Sequence, residues 1–483
     1  MCEKKEQILN QDLSLYVHIP FCVKKCLYCD FLSAPASAET QEKYLTKLCE
    51  EVRRKAQRFQ KYQVRTIFFG GGTPTAVRPE SLCRVLETIC GNFAVASDAE
   101  ISLECNPGTA SLQTLREYRR AGFNRLSIGL QSADDGLLKT LGRIHTCEQF
   151  LRTFAWAREA GFENINVDLM SSLPGQTYAQ YEDTLYKVLE LKPEHISAYS
   201  LIVEEGTPFA AMELDLPSEE LDRLMYQRTE EILNDFGYER YEISNYALPG
   251  KECRHNLVYW QRGAYLGLGL GAASFYDHTR YKNVSDLNVY LGGSLPEKES
   301  GDAGRTVIRS AKGQQDEGVE GCGTKEIGDR EDSGDAGRTV IRSAKGQQDE
   351  ITEGRSTKTA GDREDSRSKG KQDCEREVRH EERSRESHEE RKKECEEEYE
   401  EKEALTPREE MEEFYFLGLR LMRGVSQSAF RTQFGEDAEG RFQGAIESSI
   451  ADGLMERSRD GDRLRLTRRG IDVSNTVFVR FLE

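Results

Sequence analysis

The stretch YVHIPFCVKKCLYCDF, residues 16–31, carries Cys22, Cys26 and Cys29 in the spacing CxxxCxxC. A run typical of a β-strand, residues 13–19, leads into it. Three thiolates on one loop favour an iron–sulfur cluster, because thiolates are the soft ligands that such clusters take. A four-iron cluster on three thiolates keeps one iron without a protein ligand. A structural zinc site is the alternative, and it would need a fourth ligand, for which His18 is close in sequence.

Short β-rich runs alternate with amphipathic segments from residue 13 to about residue 293. The six runs are 13–19, 65–69, 99–105, 124–130, 164–169 and 195–202. This alternation predicts an α/β fold with a parallel sheet and crossover helices. Six units predict a partial (β/α)6 barrel, with an open doubly wound sheet as the alternative. Most of the residues that could bind a metal or a ligand, such as the three cysteines, follow the carboxyl ends of these runs. In α/β barrels the carboxyl edge of the sheet holds the active site.

The sequence changes character at about residue 294. SGDAGRTVIRSAKGQQDE at 300–317 is repeated identically at 333–350, and 375–402 is mostly Glu, Arg and Lys. Few apolar residues are present to offset the entropy lost on ordering, so we predict that 294–403 is a disordered, charged insert. A solvated helix over 375–402 is the alternative there.

Folded character returns near residue 405, and the predicted domains are therefore 1–293, the insert 294–403, and 404–483. Thr406 is a predicted N-cap, with Pro407 at the first helical position and Glu409 three residues after the cap. The following helix, helix, hairpin, helix pattern predicts a winged-helix-like domain. Its arginines suit either a nucleic-acid surface or the solvated edge of a packing domain.

Charge and composition narrow the class of protein. The net charge of −18 and the pI near 5.2 oppose attraction to phosphate backbones, so nucleic acid is not the expected partner. No stretch approaches the roughly 20 apolar residues of a membrane-spanning helix, and the first twelve residues contain no apolar run. We expect a cytoplasmic protein whose 13 cysteines are mostly free thiols or metal ligands.

CVKKCLYC, residues 22–29, resembles the motif of the radical S-adenosylmethionine (SAM) superfamily. The resemblance implies a [4Fe–4S] cluster on the three cysteines and SAM chelating the open iron. FGGGTPT at 69–75, RLSIGLQS at 125–132, Gly142-Arg143 and NVDLMSSLPGQT at 166–177 extend it. Together they resemble the family of the oxygen-independent coproporphyrinogen III oxidase, over 13–292 and again from about 404 to 483.

The resemblance also implies a set of SAM contacts. These are Tyr16, Tyr28, Gly71, Gly72, Thr73, Glu104, Gln131, Arg143, Asp168 and Ile202. The residue types suit that role, because glycines let a backbone approach a ligand closely and a guanidinium can pair with the SAM carboxylate. The carboxylates of Glu104 and Asp168 can accept hydrogen bonds from ribose or amino groups; a purely structural acid is the alternative for each.

One departure separates the chain from the oxidase pattern CxxxCxxCxC, because Phe31 occupies the position of the last cysteine. This difference is typical of the haem-chaperone branch of the family, HemW. The sequence of residues 241–274 also resembles that branch. The HNxxYW region of that branch corresponds to His255, Asn256, Tyr259 and Trp260. Imidazole is a common axial ligand of haem iron, and aromatic rings stack on porphyrins. Cys253 is a second candidate ligand, and the alternative is a buried His255–Asn256 hydrogen-bonded pair among core aromatics.

The resemblance therefore implies a protein that binds the cluster, SAM and haem and delivers haem to an acceptor. A respiratory haem protein, or a membrane surface that carries one, is the expected acceptor. A second hypothesis is an oxidase that decarboxylates coproporphyrinogen III, which Phe31 disfavours. A third is a radical enzyme that modifies nucleic acid through the winged helix, which the acidic charge disfavours.

Overall fold

The computed structural model describes residues 11–293, 399–435 and 440–482. These residues belong to one compact unit. The duplicated segments and the predicted disorder of 294–398 lie outside the described residues.

Six parallel strands form the centre of a large sheet. They are β1 Gln11–Ile19, β2 Tyr62–Gly71, β3 Ala94–Cys105, β4 Arg125–Gln131, β5 Ile165–Ser171 and β6 His195–Ser200. Each strand pairs with the next in chain order. The helices that follow them are α1 Ala38–Ala56, α2 Pro79–Asn92, α3 Leu112–Ala121, α4 Asp135–Thr140, α5 Cys147–Glu159, α6 Tyr178–Glu190 and α7 Glu219–Asp235. The predicted partial (β/α)6 barrel is confirmed.

Side-chain alternation along the strands separates an apolar layer from a polar interior. In β1, Leu15 and Val17 are fully buried in the main hydrophobic core. The side chains of Ser14 and Tyr16, which alternate with these two, point to the other face of the strand. There Ser14 accepts a hydrogen bond from Thr66 of β2, and Tyr16 contacts His18. The barrel thus encloses polar side chains, which is where a polar ligand can be bound.

Further strands extend both sides of the sheet. The elements are β7 Glu239–Arg240, β8 Asn245–Ala247, α8 Arg254–Trp260, β9 Tyr265–Leu268, β10 Ala273–Tyr276, β11 Thr279–Asn283, α9 Leu287–Tyr290 and β12 Tyr399–Ala404. β9 pairs parallel with β1, and β10, β11 and β12 follow antiparallel. The predicted insert 294–403 overlaps this last strand. The Tyr399 ring lies 4.8 Å from that of Tyr281, so an aromatic contact anchors a strand whose charged residues gave no strand signal.

The C-terminal residues form the predicted helix and hairpin pattern. The elements are α10 Pro407–Gly418, β13 Val425–Ser426, α11 Gln427–Phe434, α12 Gln443–Ala451, β14 Met455–Arg457, β15 Arg463–Leu466, α13 Arg468–Asp472 and α14 Ser474–Val479. Thr406 and Glu409 form the predicted capping box. Arg465 pairs with Glu456, and Arg468 pairs with Glu231 of the barrel. These ion pairs favour the packing-domain interpretation of the basic residues.

Candidate cluster and cofactor site

The cysteine loop follows β1 and is held by backbone hydrogen bonds from three directions. Thr73 N donates to Phe21 O at 2.7 Å, and Leu27 N donates to Leu141 O at 3.0 Å. Cys22 N donates to Ala34 O at 3.2 Å. All three cysteines of the motif are free and half-buried. The loop is thus fixed at the carboxyl edge of the sheet, as the sequence predicts.

The glycine turn after β2 allows this loop to lie directly against it. A Cβ atom at Gly72 would lie 2.7 Å from Phe21 O and 3.0 Å from Cys22 Sγ. Gly71 has φ +114°, and a Cβ atom there would lie 2.5 Å from the His18 ring. Glycine is required at both positions, because any larger residue would push the cysteine loop or His18 away.

Two side chains approach the cysteine sulfurs as hydrogen-bond donors. The Thr73 hydroxyl lies 3.6 Å from Cys22 Sγ, and Arg143 Nη1 lies 3.8 Å from Cys26 Sγ. Burial raises the pKa of the Cys29 thiol, and the nearby Cys26 adds to this effect. Donors at the sulfurs stabilise thiolates, which are the form that binds iron.

Three thiolates fit a cluster, and His18 is not free to act as the fourth ligand of a zinc site. His18 Nε2 lies 2.9 Å from Leu32 O and its Nδ1 lies 3.1 Å from the Tyr16 hydroxyl, so both ring nitrogens already have partners. Within the described ranges, no three His, Cys, Asp or Glu side chains have the geometry of a single-ion site. A cluster presents its irons at separate corners, so thiolates that bind it need not converge on one point.

Two half-buried carboxylates lie inside the barrel near this edge. Glu104 accepts a hydrogen bond from Gly71 N at 3.1 Å, and Asp168 accepts one from Asn166 Nδ2 at 2.7 Å. Burial, followed by repulsion from Asp168, raises the pKa of Glu104 to about 8. Burial also raises the pKa of Asp168. A cationic ligand between them would relieve this repulsion, and the amino and sulfonium groups of SAM are cationic.

The other predicted SAM contacts lie at the same edge. Gln131 ends β4 in the left-handed region with φ 70°, a conformation that non-glycine residues adopt mostly under local constraint. Burial raises the pKa of Tyr28, which lies close to Arg143 and Cys26. Ile202 follows β6 and has 53% of its surface exposed. The predicted set is therefore brought together, with Ile202 at the rim.

The HNxxYW residues lie against the middle of β2 and β3. They form helix α8, whose first amides donate to Glu100 near the middle of β3. His255 Nδ1 lies 2.7 Å from the hydroxyl of Thr66, five residues before Gly71 along β2. A strand rises about 3.3 Å per residue, so this contact lies about 17 Å from the glycine turn. The contact of His255 with Thr66 and the glycine turn are thus at different heights along β2.

Within that helix, His255 is buried and its second nitrogen, Nε2, lies 2.9 Å from the Tyr259 hydroxyl. The alternative of a His255–Asn256 pair is not what the structure shows, since the histidine bonds to Thr66 and Tyr259. Trp260 packs its ring under Arg420 at 4.2 Å, and its Nε1 finds no hydrogen-bond acceptor among the described residues. Cys253 is buried and directed at Glu100, with its Sγ 3.6 Å from a carboxylate oxygen.

Sequence reasoning missed Asn106, which directly follows β3 and bonds to both Arg143 and Thr73. A polar residue after a strand in this barrel is a usable signal, but a single asparagine is also common in turns.

Family models match both folded regions of the chain. The radical SAM superfamily model matches residues 16–187, and the HemN C-terminal domain model matches residues 405–473. With the six-stranded barrel and the cysteine loop, these matches define a radical SAM protein.

Several known proteins are similar in sequence over the barrel. "Heme chaperone HemW" of Lactococcus lactis is 38% identical over 295 residues, which are 60% of this chain and 77% of that protein. The Escherichia coli protein of the same name is 40% identical over 261 residues, 54% of this chain and 69% of that protein. The mouse mitochondrial radical S-adenosyl methionine domain-containing protein 1 is 38% identical over 284 residues, which are 57% of this chain and 64% of that protein. The chain belongs to the HemW family, the haem-chaperone branch of the oxygen-independent coproporphyrinogen III oxidase-like proteins.

A solved structure supports the fold. Coproporphyrinogen III oxidase (HemN) from E. coli superposes with a TM-score of 0.69 at 21% identity, covering 99% of this chain and 91% of that chain.

In the described part of the chain, no helix has the length and apolar character to cross a membrane.

Proposed function

We propose that this protein binds a [4Fe–4S] cluster, SAM and haem and transfers haem to an acceptor protein. The cysteine loop with donors at two of its sulfurs supports the cluster, and the similarity to proteins named heme chaperones supports the haem. The cluster would supply an open iron for SAM and an electron. Cys22, Cys26 and Cys29 would hold it.

The remaining residues at this edge would bind and orient SAM. Arg143 has five N–H donors, of which those to Cys26, Asn106 and Gly129 O use only part, so others remain for a carboxylate. Glu104 and Asp168 would accept hydrogen bonds from the ribose or the amino group. Tyr16, Tyr28, Gly71, Gly72, Thr73, Gln131 and Ile202 complete the proposed contact set.

For haem, we assign the HNxxYW residues His255, Asn256, Tyr259 and Trp260. Tyr259 and Trp260 are half-buried, and Trp260 contacts Arg420 of the C-terminal domain. For His255 to bind the iron, one ring nitrogen must leave its hydrogen bond to Thr66 or Tyr259. Haem binding at this place therefore requires α8 or the adjoining side chains to move.

The test is a haem titration of anaerobically reconstituted protein, followed by absorbance. Wild type should saturate at one haem per chain, and His255→Ala should bind more weakly or with a shifted spectrum. His278→Ala is the control, because its side chain is largely exposed and pairs with Glu410 outside α8. Since His255 is buried, Asn256→Ala is a second variant, and it should weaken binding without unfolding the protein.

No saturable binding by wild type would overturn the haem assignment. Tight binding unchanged in both α8 variants would keep the function but move the ligand elsewhere, with Cys253 as the next residue to replace.

The oxidase hypothesis is tested in parallel with coproporphyrinogen III as substrate. Phe31, at the position of the oxidase's last cysteine, has 51% of its surface exposed, and its carbonyl accepts from Lys25 Nζ and Ser33 Oγ. We expect no decarboxylated product, and its formation would replace the chaperone proposal. A cytoplasmic location is part of the proposal, and cell fractionation would test it against the organelle named for the mouse relative.

A further inference from the structure

A chain of hydrogen bonds connects two of the three cysteines through side chains. Arg143 Nη1 lies 3.8 Å from Cys26 Sγ, and its Nη2 donates to Asn106 Oδ1 at 2.9 Å. Asn106 Nδ2 donates to Thr73 Oγ1 at 2.7 Å, and the Thr73 hydroxyl lies 3.6 Å from Cys22 Sγ. Asn106 is the middle member of this relay.

Chemistry fixes the direction of each bond in the relay. A guanidinium has no acceptor, so the amide oxygen of Asn106 must face Arg143. The amide nitrogen then faces Thr73 and donates to its oxygen. Because that oxygen is used as an acceptor, the hydroxyl hydrogen of Thr73 is free to point at Cys22. The orientation of one amide therefore decides whether Cys22 receives a hydrogen bond.

Asn106 is held firmly enough to act in this way. The backbone carbonyl of Asn106 accepts hydrogen bonds from the Thr109 hydroxyl at 2.6 Å and from Thr109 N at 3.1 Å. A Cβ atom at Gly129 would lie 3.1 Å from both Arg143 Nη2 and Asn106 Oδ1, so the glycine leaves the space in which they meet. Thr73 itself is buried.

We propose that Asn106 is a positioning residue that directs the Thr73 hydroxyl at Cys22 and thereby raises the reduction potential of the cluster. The inference rests on the proposed cluster binding. Hydrogen bonds to cluster sulfurs stabilise the more negative, reduced state, and so the potential depends on them. Asn106 bonds to Thr73 and Arg143 and would act on the cluster through them.

The substitution Asn106→Asp tests the relay with almost no change of shape. A carboxylate accepts from Arg143 as before, but it also accepts from the Thr73 hydroxyl, which then turns away from Cys22. Thr73→Val removes the hydroxyl directly. The measurement is the potential of the reconstituted cluster in wild type, both single variants and the double variant, by redox titration followed by electron paramagnetic resonance. Resonance Raman spectra of the iron–sulfur stretching region give a second readout.

Both single variants should lower the potential and shift the Raman bands. The added charge alone would lower the potential equally in both backgrounds, so the relay predicts that Asn106→Asp has a smaller effect when Thr73 is already valine. Additive shifts, or no shift in Asn106→Asp, would overturn the inference. If Asn106→Asp takes up no cluster, Asn106→Ala replaces it in the same two backgrounds, and the same non-additivity is required.

The two proposals fail in distinguishable ways. Iron and sulfide analysis of wild type comes first, and absence of a cluster there would overturn both. A normal cluster in wild type with additive shifts would overturn only the role of Asn106.

Discussion

Replacing Gly72 by alanine tests whether the glycine turn sets the position of the cysteine loop. The added Cβ would lie 2.7 Å from Phe21 O, whereas ordinary contact begins at 3.4 Å, so the two segments must separate by about 0.7 Å. Thr73 N and Phe21 O are joined at 2.7 Å and resist that separation. Relieving such an overlap costs about 1–3 kcal/mol. Because Cys22 follows Phe21 directly, its sulfur would be displaced as well.

The assay is iron and sulfide content after anaerobic reconstitution, with thermal unfolding of the cluster-free chain beside it. Gly72→Ala should lose most of the cluster and unfold at a lower temperature. Gly91→Ala is the matched control, since it lies in α2 and a Cβ atom there meets nothing within 4 Å. That control should keep the cluster and gain up to about 1 kcal/mol of stability. Normal cluster content and an unchanged midpoint in Gly72→Ala would refute the reasoning.

Three other predictions concern the pH dependence, the core and the insert. The pKa of about 8 for Glu104 means that the native state binds a proton more tightly than the unfolded state. The free energy of unfolding should therefore decrease as the pH rises from about 4.5 to about 8. Glu104→Gln should remove that fall, as measured by thermal midpoints near both ends of the range. Glu51→Gln breaks a buried ion pair with Lys55 and should cost about 3–5 kcal/mol in urea unfolding. Deleting 296–398 should leave cluster, SAM and haem binding intact by absorbance titration, whereas a deletion extended to residue 402 should lower the thermal midpoint by removing most of β12.

The parts of the fold that the sequence predicted correctly depend on local patterns. Six alternating runs predicted six strands, and Thr406 with Glu409 predicted a capping box, because both signals lie within a few residues. β12 was missed since its strand character comes from Tyr399 meeting Tyr281, more than a hundred residues away.

The site was predictable to the same extent. The cysteines and the glycine turn are short motifs, and their meeting at one edge follows from parallel strands. Asn106 was missed because its proposed role depends on contacts with Arg143 and Thr73, which come from other strand ends. The burial of His255 against Thr66 is likewise a contact between distant segments, and no local pattern reports it.

The pairing of β11 with β12 bears on how the chain could lengthen. Along the sequence, 105 residues, 294–398, separate the described segment that ends at residue 293 from β12. Removing one 33-residue repeat unit would leave 72 residues. For flexible loops of these two lengths, the closure entropy differs by only about 0.3 kcal/mol, because it grows with the logarithm of length. A tandem duplication between these two segments is thus nearly neutral for folding, and natural selection would have had little thermodynamic reason to remove it.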